Sequence, residues 1–273
     1  HDQFISRKLF NLVQKKLDLK GKAKFKGHNF AFSGLMRCGE CGATITAETH
    51  TKHYKNGTGQ TFVYYRCTKK LKPCTQKYVS ESVLEPQIRK IVGDCGLHES
   101  WEPYFEKWNT QAEEKDKQTA EVEEKQIDGQ IQESEVKLNR LLDGYLDQVI
   151  EPEIYKQKKN ELFEEKLKLG EKKSQIEKNG TVWLEPMREF VISALQAQKI
   201  ARAKNECHDL AIMAKTVGSN YSLFNRQLRP DLKYPFAALS AEGGAASAAP
   251  NSLAISKMVS CYNDVRTYIR ANY

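Results

Sequence analysis

Four cysteines in two closely spaced pairs constrain this chain more than any other feature of its sequence. Cys38 and Cys41 form a Cys-x2-Cys pair, and Cys67 and Cys74 form a Cys-x6-Cys pair after twenty-five intervening residues. Two short turns of this kind present four thiolates to one tetrahedral Zn²⁺ ion. The pattern predicts a single structural zinc bound by all four cysteines. Because such a site has no open coordination position, we expect no metal chemistry on a substrate.

The residues between the two cysteine pairs favour two short strands. Residues 43–48 and 61–66 are rich in threonine, isoleucine, valine and tyrosine, which suit β-structure. Residues 55–59, with the sequence KNGTG, are a turn signal between them. A hairpin that joins two cysteine turns is typical of a zinc ribbon, which we therefore predict over residues 32–79.

The cysteines also allow other interpretations. A disulfide requires an oxidising compartment, and no signal peptide is visible, although the chain can begin downstream of one. A redox-active Cys-x-x-Cys pair requires a βαβ context, which the sequence does not show. His50 and His53 are alternative ligands, although four cysteines already fill a tetrahedral site. Cys95, Cys207 and Cys261 stand alone in apolar or helical surroundings, which is typical of inert core thiols.

Positive charge is concentrated in the first eighty residues. They hold 16 lysine and arginine residues against 4 aspartate and glutamate residues, whereas the whole chain has 43 against 35. This segregation is typical of a protein that binds a polyanion, although a basic surface kept for solubility, or a solvated linker before residue 30, would also carry lysines. The residues that we expect to contact DNA are Lys22, Lys24, Lys26, Arg37, Lys52, Lys55, Arg66, Lys69, Lys70, Lys72 and Lys77.

The centre of the chain predicts two long helices. Apolar or small residues alternate four and three apart in residues 111–149, and a second series follows after Pro152, which suits the first turn of a new helix. This spacing predicts an antiparallel coiled-coil hairpin that projects by about 40–60 Å. The two series are Ile127, Ile131, Ser134, Leu138, Leu141 and Tyr145, and then Tyr155, Leu162, Leu169 and Ile176.

The predicted tip of the hairpin, residues 145–155, is apolar where solvent is expected. Such a patch is typical of a docking surface, although a hairpin folded back on its own domain would also bury it. The residues that we expect to contact a partner are Tyr145, Leu146, Val149, Ile150, Ile154 and Tyr155.

These features predict an α+β fold, in which a small zinc β-ribbon with flanking helices carries the long coiled-coil hairpin and a mostly helical C-terminal tail. No run of eighteen apolar residues is present, so we expect no membrane span. The predicted segments are an N-terminal helix and basic linker (1–30), the zinc ribbon domain with flanking helices (31–110), the coiled-coil hairpin (111–179), a helical return segment with a short strand hairpin after residue 221 (180–236), an Ala/Gly/Ser linker (237–250) and a C-terminal helix (251–273).

In combination, these motifs resemble the C-terminal half of the large serine recombinases, a family that includes the serine integrases. The resemblance is carried by ISRKLFNLVQKKL, FSGLMRCGECGATITAE, YYRCTK with Cys74, and LLDGYLDQVIEPEIYKQKK, and it covers residues 4–178. The tail from Trp183 matches only loosely.

The resemblance implies a role in site-specific DNA recombination, such as DNA integration by a mobile element. It also implies a cytoplasmic protein that is associated with the nucleoid. The zinc ribbon would bind double-stranded attachment-site DNA, and the coiled-coil tip would meet another recombinase subunit to control synapsis. A directionality factor is a further implied partner. The family's nucleophilic serine lies in a domain that this sequence lacks, and no acid–base or nucleophile–base pair is visible, so we expect no catalysis by this chain alone. The alternative function is a zinc-ribbon adaptor in transcription or RNA metabolism, with a coiled-coil docking arm.

Overall fold

The computed structural model describes Val13 and residues 30–179, 181–203, 207–242 and 244–272, and it has the predicted α+β class. The predicted N-terminal helix and basic linker, including Lys22, Lys24 and Lys26, lie almost entirely outside the described residues. The strands in the described part are β1 (Met36–Cys38), β2 (Ile45–His53), β3 (Gly59–Cys67), β4 (Val79–Ser80), β5 (Gly218–Phe224) and β6 (Gln227–Leu232). The α-helices there are α1 (Glu81–Asp94), α2 (Glu102–Leu146), α3 (Pro152–Asn179), α4 (Leu184–Arg202), α5 (Cys207–Val217), α6 (Phe236–Ala241) and α7 (Ser252–Asn272).

The predicted ribbon hairpin is the first of two three-stranded sheets. Strands β2 and β3 are antiparallel and pair in continuous register from Ile45 opposite Cys67 to His53 opposite Gly59, and β4 adds to β3. Both strands are longer than predicted. The end near the cysteines is buried, whereas residues 50–61 are exposed on both faces. The hairpin therefore has a rooted half and a projecting half.

The second sheet joins the two ends of the described chain. Strand β1 pairs in parallel with β5, with Arg37 beside Ser222 and Cys38 beside Leu223, and β5 pairs with β6 in antiparallel fashion. The β5–β6 turn consists of Asn225 and Arg226, which both have positive φ, as a two-residue turn of the type I′ class requires. The short hairpin expected after residue 221 is thus present, although its first strand already begins at Gly218, and it completes the sheet that β1 begins.

A single hydrophobic core extends from the ribbon to the C-terminal helix. Its largest fully buried side chains include Trp101, Trp183, Tyr65 and Tyr221, which come from both ends of the described chain. Helices α1, α4, α5 and α7 contribute the regularly spaced apolar residues of this core. The C-terminal segment is therefore part of the same folded body as the ribbon.

Residues 237–250 differ from the predicted linker. Phe236 and Leu239 of α6 are buried, and Ala246 is 1% exposed. The carbonyl of Ala246 accepts a hydrogen bond from the His98 backbone N–H, and that of Ala248 accepts one from the Trp101 indole N–H. Because the side chains of this segment are small, its backbone packs closely on the core. The same small residues made the segment resemble a flexible linker in the sequence.

Helices α2 and α3 form the predicted antiparallel hairpin. Lys166 pairs with Glu135 at 2.6 Å, and Lys173 pairs with Asp128 at 2.6 Å, which fixes the antiparallel alignment. The predicted seam positions are buried or half-buried from Ile127 to Leu141 and from Tyr155 to Ile176. The first turns of α2 are anchored in the core through Phe105 and Ala112, and its 45 residues span about 68 Å. None of the described helices is long and apolar enough to cross a membrane.

We predict that Leu223→Ala destabilises the ribbon, although this residue lies far from the cysteines in sequence. Leu223 is fully buried beside Cys38, and truncation of a buried leucine costs about 2–5 kcal/mol because a cavity is left. Urea unfolding of the full chain measures this loss. Leu253→Ala, at a position that is 69% exposed, is the control, and equal stability of the two variants would contradict the packing of β5 on β1.

Candidate metal centre and nucleic-acid interface

The structure brings the four predicted ligand residues together. The sulfur atoms of Cys38, Cys41, Cys67 and Cys74 all lie within 4.8 Å of one another, and all four residues are buried. The Cys38–Cys74 and Cys41–Cys67 sulfur separations are 3.5 Å and 3.2 Å, longer than the roughly 2.05 Å of a disulfide. Four sulfurs around one Zn²⁺ at about 2.3 Å would be about 3.8 Å apart. The cluster therefore has the size of a tetrahedral metal site.

Backbone N–H groups point at three of these sulfur atoms. Cys67 accepts a hydrogen bond from the Lys69 N–H at 3.2 Å, and Cys74 accepts one from the Gln76 N–H at 3.4 Å. A backbone hydrogen bond from Ala43 is the main reason why the pKa of Cys41 lies below its usual value. Each donor lies two residues after its cysteine. Such hydrogen bonds favour thiolates, which are the form that binds a metal.

Burial acts in the opposite direction on the second cysteine pair. It raises the pKa of Cys67 and of Cys74, because a charged thiolate loses its hydration in this environment. A bound cation would remove this cost by neutralising the sulfur charges. A buried four-thiolate donor set with oriented N–H groups thus fits a structural Zn²⁺ ion.

A carboxylate links the two cysteine turns. Glu40, between Cys38 and Cys41, accepts hydrogen bonds from the Thr75 backbone N–H at 2.8 Å and from its hydroxyl at 3.1 Å. The Thr75 N–H is the largest cause of the lowered pKa of Glu40. This contact was not predicted from the sequence, because a glutamate in a turn gives no indication of a partner thirty-five residues away.

Strand β5 packs directly against the first cysteine turn. The Gly39 N–H donates to the Leu223 carbonyl at 2.8 Å, and a Cβ on Gly39 would lie 3.0 Å from the Phe224 Cβ. Gly42 has φ +75°, which the tight turn after Cys41 requires. Asn225 also donates its N–H to the Gln76 side chain at 3.1 Å, beside the second turn. Both turns therefore rest on the β5–β6 hairpin, which sequence reasoning did not assign to the site.

The other predicted ligand candidates lie outside the sulfur cluster. His50 is exposed and pairs with Glu48 at 2.8 Å, and His53 is exposed near the end of β2. Burial raises the pKa of Cys95 and Cys261 to about 12, and it also raises the pKa of half-buried Cys207. These three thiols stay protonated near neutral pH, as expected of core cysteines.

Most of the predicted DNA-contacting side chains that are described are exposed. They lie on β1, on the projecting half of the ribbon and around the second cysteine turn: Arg37, Lys52, Lys55, Lys69, Lys70, Lys72 and Lys77. Arg66 differs, because its Nε atom pairs with Glu48 at 2.5 Å and its side chain is half-buried. The hydrogen bond with Glu48 raises the pKa of Arg66, so this charge is already partly neutralised within the protein.

The predicted partner-binding residues divide into two groups at the hairpin tip. Leu146 and Val149 are 67% and 80% exposed, and Ile154 is also exposed. Ile150 is half-buried, and its Cδ1 atom occupies the space beside Gly144. Tyr145 and Tyr155 stack with ring centroids 4.3 Å apart, which closes the hairpin behind the tip. Ile150 and the two tyrosines thus shape the turn, whereas Leu146, Val149 and Ile154 face solvent.

The geometry defines a β-ribbon domain with a four-sulfur metal centre. Residues 31–91 match the family model described as "Recombinase zinc beta ribbon domain", which confirms the resemblance over this segment. A solved structure described as "Crystal Structure of a LSR-DNA Complex" is similar over 85% of this chain and 66% of that chain, with 16% identity and a TM-score of 0.39. A similarity this low supports no functional argument, and the chain spans slightly less than two thirds of that protein. No curated protein matches the chain.

We predict that Cys67→Ser abolishes stable metal binding and exposes the ribbon to proteolysis. A serine hydroxyl cannot replace a thiolate in a closed four-sulfur site, and metal binding is coupled to folding in so small a module. Metal content measured by mass spectrometry and limited proteolysis after chelation test this. Cys207→Ser, outside the cluster, is the control and keeps the wild-type metal content. Protease resistance that survives both chelation and the Cys67 substitution would count against the prediction.

Proposed function

We propose that this chain is the DNA-binding and synapsis-controlling module of a site-specific serine recombinase. The observation that carries the proposal is the match of residues 31–91 to a recombinase zinc ribbon together with the convergence of the four sulfur atoms of that segment. The basic surface around the cluster and the projecting helical hairpin support it. The proposal assigns DNA binding to the ribbon and subunit pairing to the hairpin tip.

In this proposal one Zn²⁺ ion is held by Cys38, Cys41, Cys67 and Cys74 and has a structural role. The metal supplies a cross-link between two turns that the small ribbon could not hold together by apolar packing alone. The protein orients the sulfur atoms through backbone N–H groups and through the Glu40–Thr75 contact. The site positions basic side chains and carries out no chemistry on DNA.

The projecting half of the ribbon is the first DNA-contacting element that we propose. Residues 50–61 are exposed on both faces, so they gain little stability from packing on the core. A two-stranded ribbon without further packing is only marginally stable in water, which favours a role for it as a contact surface. The Thr51 and Thr61 hydroxyls are 3.0 Å apart, and the Asn56 side chain holds the turn through Thr58. A two-stranded β-ribbon fits the major groove of B-DNA, where Lys52 and Lys55 would contact phosphates.

The hairpin is suited to joining two molecules at a distance from the DNA. Its seam residues pack between α2 and α3, so the seam is already used within the chain. The exposed apolar residues at the tip, Leu146, Val149 and Ile154, have no such partner within the described residues. Burial of this patch against the same patch on a second subunit would remove it from water.

We predict that the zinc-loaded chain binds duplex DNA with a steep dependence on salt. Each lysine or arginine on a phosphate releases a counterion, so about four contacts lower the affinity by about 100-fold between about 50 and 200 mM salt. Fluorescence anisotropy with a labelled duplex of arbitrary sequence measures this. Lys69→Gln with Lys72→Gln reduces the salt slope, whereas Lys168→Gln on α3 leaves it unchanged. Preferential binding of RNA over the duplex would favour the adaptor function instead.

We predict that Leu146→Asp with Val149→Asp weakens self-association and spares DNA binding. Both side chains face solvent at the tip, so charged replacements disturb no core packing. Sedimentation analysis and the same anisotropy assay separate the two properties. Leu167→Asp, which is 65% exposed on α3, is the matched control and retains self-association. Parallel loss of both properties in the tip variant would mean that the tip is needed for the fold.

A further inference from the structure

On the outer face of the β1–β5–β6 sheet, the sequence predicts a DNA contact for Arg37 but assigns no role to the neighbouring strands β5 and β6. One side of this sheet is buried in the core through Met36, Cys38, Tyr221 and Leu223. Because side chains alternate along a strand, the residues between them face outward. Arg37 on β1, Ser222 on β5 and Arg229 on β6 lie in one row across the sheet.

This row is continuous with the outer face of the ribbon. Arg37 forms an isolated antiparallel bridge with Thr44, which immediately precedes β2. Thr44 is exposed, and Thr46 and Arg66 follow on the same side of the ribbon, opposite each other in register. A ligand that lies on the ribbon can therefore extend over Arg37 towards Arg229 without a change of face.

The two arginines on this sheet are available for a ligand. Arg37 and Arg229 are exposed, and neither has an ion-pair partner among the described residues, in contrast to Arg66. Their Cα atoms are separated by two strand spacings, or about 10 Å. The Arg229 guanidinium lies 5.5 Å from the Phe224 ring centroid, which holds it over the sheet. Phe224 in turn lies against Gly39 of the first cysteine turn.

One negative charge lies on the same face. Asp231 is two residues from Arg229 on β6 and faces outward beside Asn220. Its carboxylate accepts a hydrogen bond from the Ser219 hydroxyl at 3.3 Å, at the far end of the sheet from the cysteine turns. The row through Arg37, Ser222 and Arg229 therefore remains positive, and the Ser222 hydroxyl at its centre donates to the Arg229 carbonyl at 3.5 Å.

We propose that the outer face of the β1–β5–β6 sheet is a second contact surface for the DNA phosphate backbone, in which Arg37 and Arg229 bind phosphates on either side of Ser222. Guanidinium groups bind phosphate through paired N–H donors. The Ser222 side chain between them is small and uncharged. This inference rests on the proposed DNA binding and extends it to the C-terminal strands. It implies that the segment after the hairpin contributes directly to affinity.

The first test uses a double variant that carries both Arg37→Gln and Arg229→Gln in the zinc-loaded full chain. Anisotropy on a labelled duplex of arbitrary sequence, measured across a salt series, compares it with the wild type. The double variant is expected to lower the slope of log affinity against log salt by about 0.9 for each arginine that no longer binds a phosphate, or about 2 in total. Arg188→Gln, an exposed arginine on α4, is the control and keeps the wild-type slope. An unchanged slope in the double variant would overturn the inference.

A second pair of variants, at the centre of the face, leaves the arginines in place. Ser222→Glu puts a carboxylate between them and is expected to lower affinity at least about 10-fold through repulsion of the phosphates. Ser222→Gln, of similar size and without charge, retains most of the affinity. Equal affinities of these two variants would also count against the surface.

Metal content and circular dichroism confirm that each variant is folded. If the wild type itself shows no salt-dependent duplex binding, the proposed function fails. If the wild type binds in this way and the variants behave like it, the inference about the β1–β5–β6 sheet fails and the proposed function stands.

Discussion

The meeting of four cysteine sulfur atoms in one buried cluster is the contact on which the first part of the fold depends. Cys38 ends β1 and Cys41 lies in the turn after it, whereas Cys67 ends β3 and Cys74 follows it. The cluster therefore holds the rooted end of the ribbon closed. The hydrogen bond between Glu40 and Thr75 acts in the same direction. With the rooted end fixed, the distal half of the ribbon can project as paired strands exposed on both faces, and basic side chains are displayed at defined positions without a large core beneath them.

The metal centre depends in turn on a segment that lies beyond the hairpin. The parallel pairing of β1 with β5 places Cys38 beside Leu223, and Gly39 donates a hydrogen bond to the same strand. Helices α2 and α3 thus project from a folded core that is formed by the segments before and after them. The base of the helical hairpin is held by Asp116 of α2. Its carboxylate accepts hydrogen bonds from Arg266 at 2.6 Å and from the Trp183 indole at 2.9 Å. The direction of the hairpin is therefore tied to the C-terminal segment by a charge-assisted contact that is largely shielded from solvent.

The distribution of charge and apolar surface places the two proposed roles in different parts of the chain. Cations surround the cysteine turns and the ribbon, whereas the exposed apolar side chains at the hairpin tip lie at the far end of α2, which spans about 68 Å. The two proposed contacts, with a polyanion and with a second subunit, therefore do not compete for one surface. Arg66 shows why exposure matters as much as charge, because its pairing with Glu48 removes it from the set of freely available cations.

Local patterns in the sequence determined those structural elements whose geometry depends on residues close together in the chain. The spacing of Cys38, Cys41, Cys67 and Cys74 predicted the clustered turns, the KNGTG segment predicted the ribbon turn, and the heptad spacing predicted the helical hairpin, because each pattern reports a short-range geometric repeat. Only the tertiary structure decided that β5 pairs with β1, that residues 237–250 pack on the core, and that Ile150 supports the tip turn while Val149 faces solvent. These features depend on contacts between residues far apart in the chain, or on which side of a turn a side chain falls. Alanine, glycine and serine can form either a loose linker or a close-packed layer, and the outcome is set by the surface that meets them.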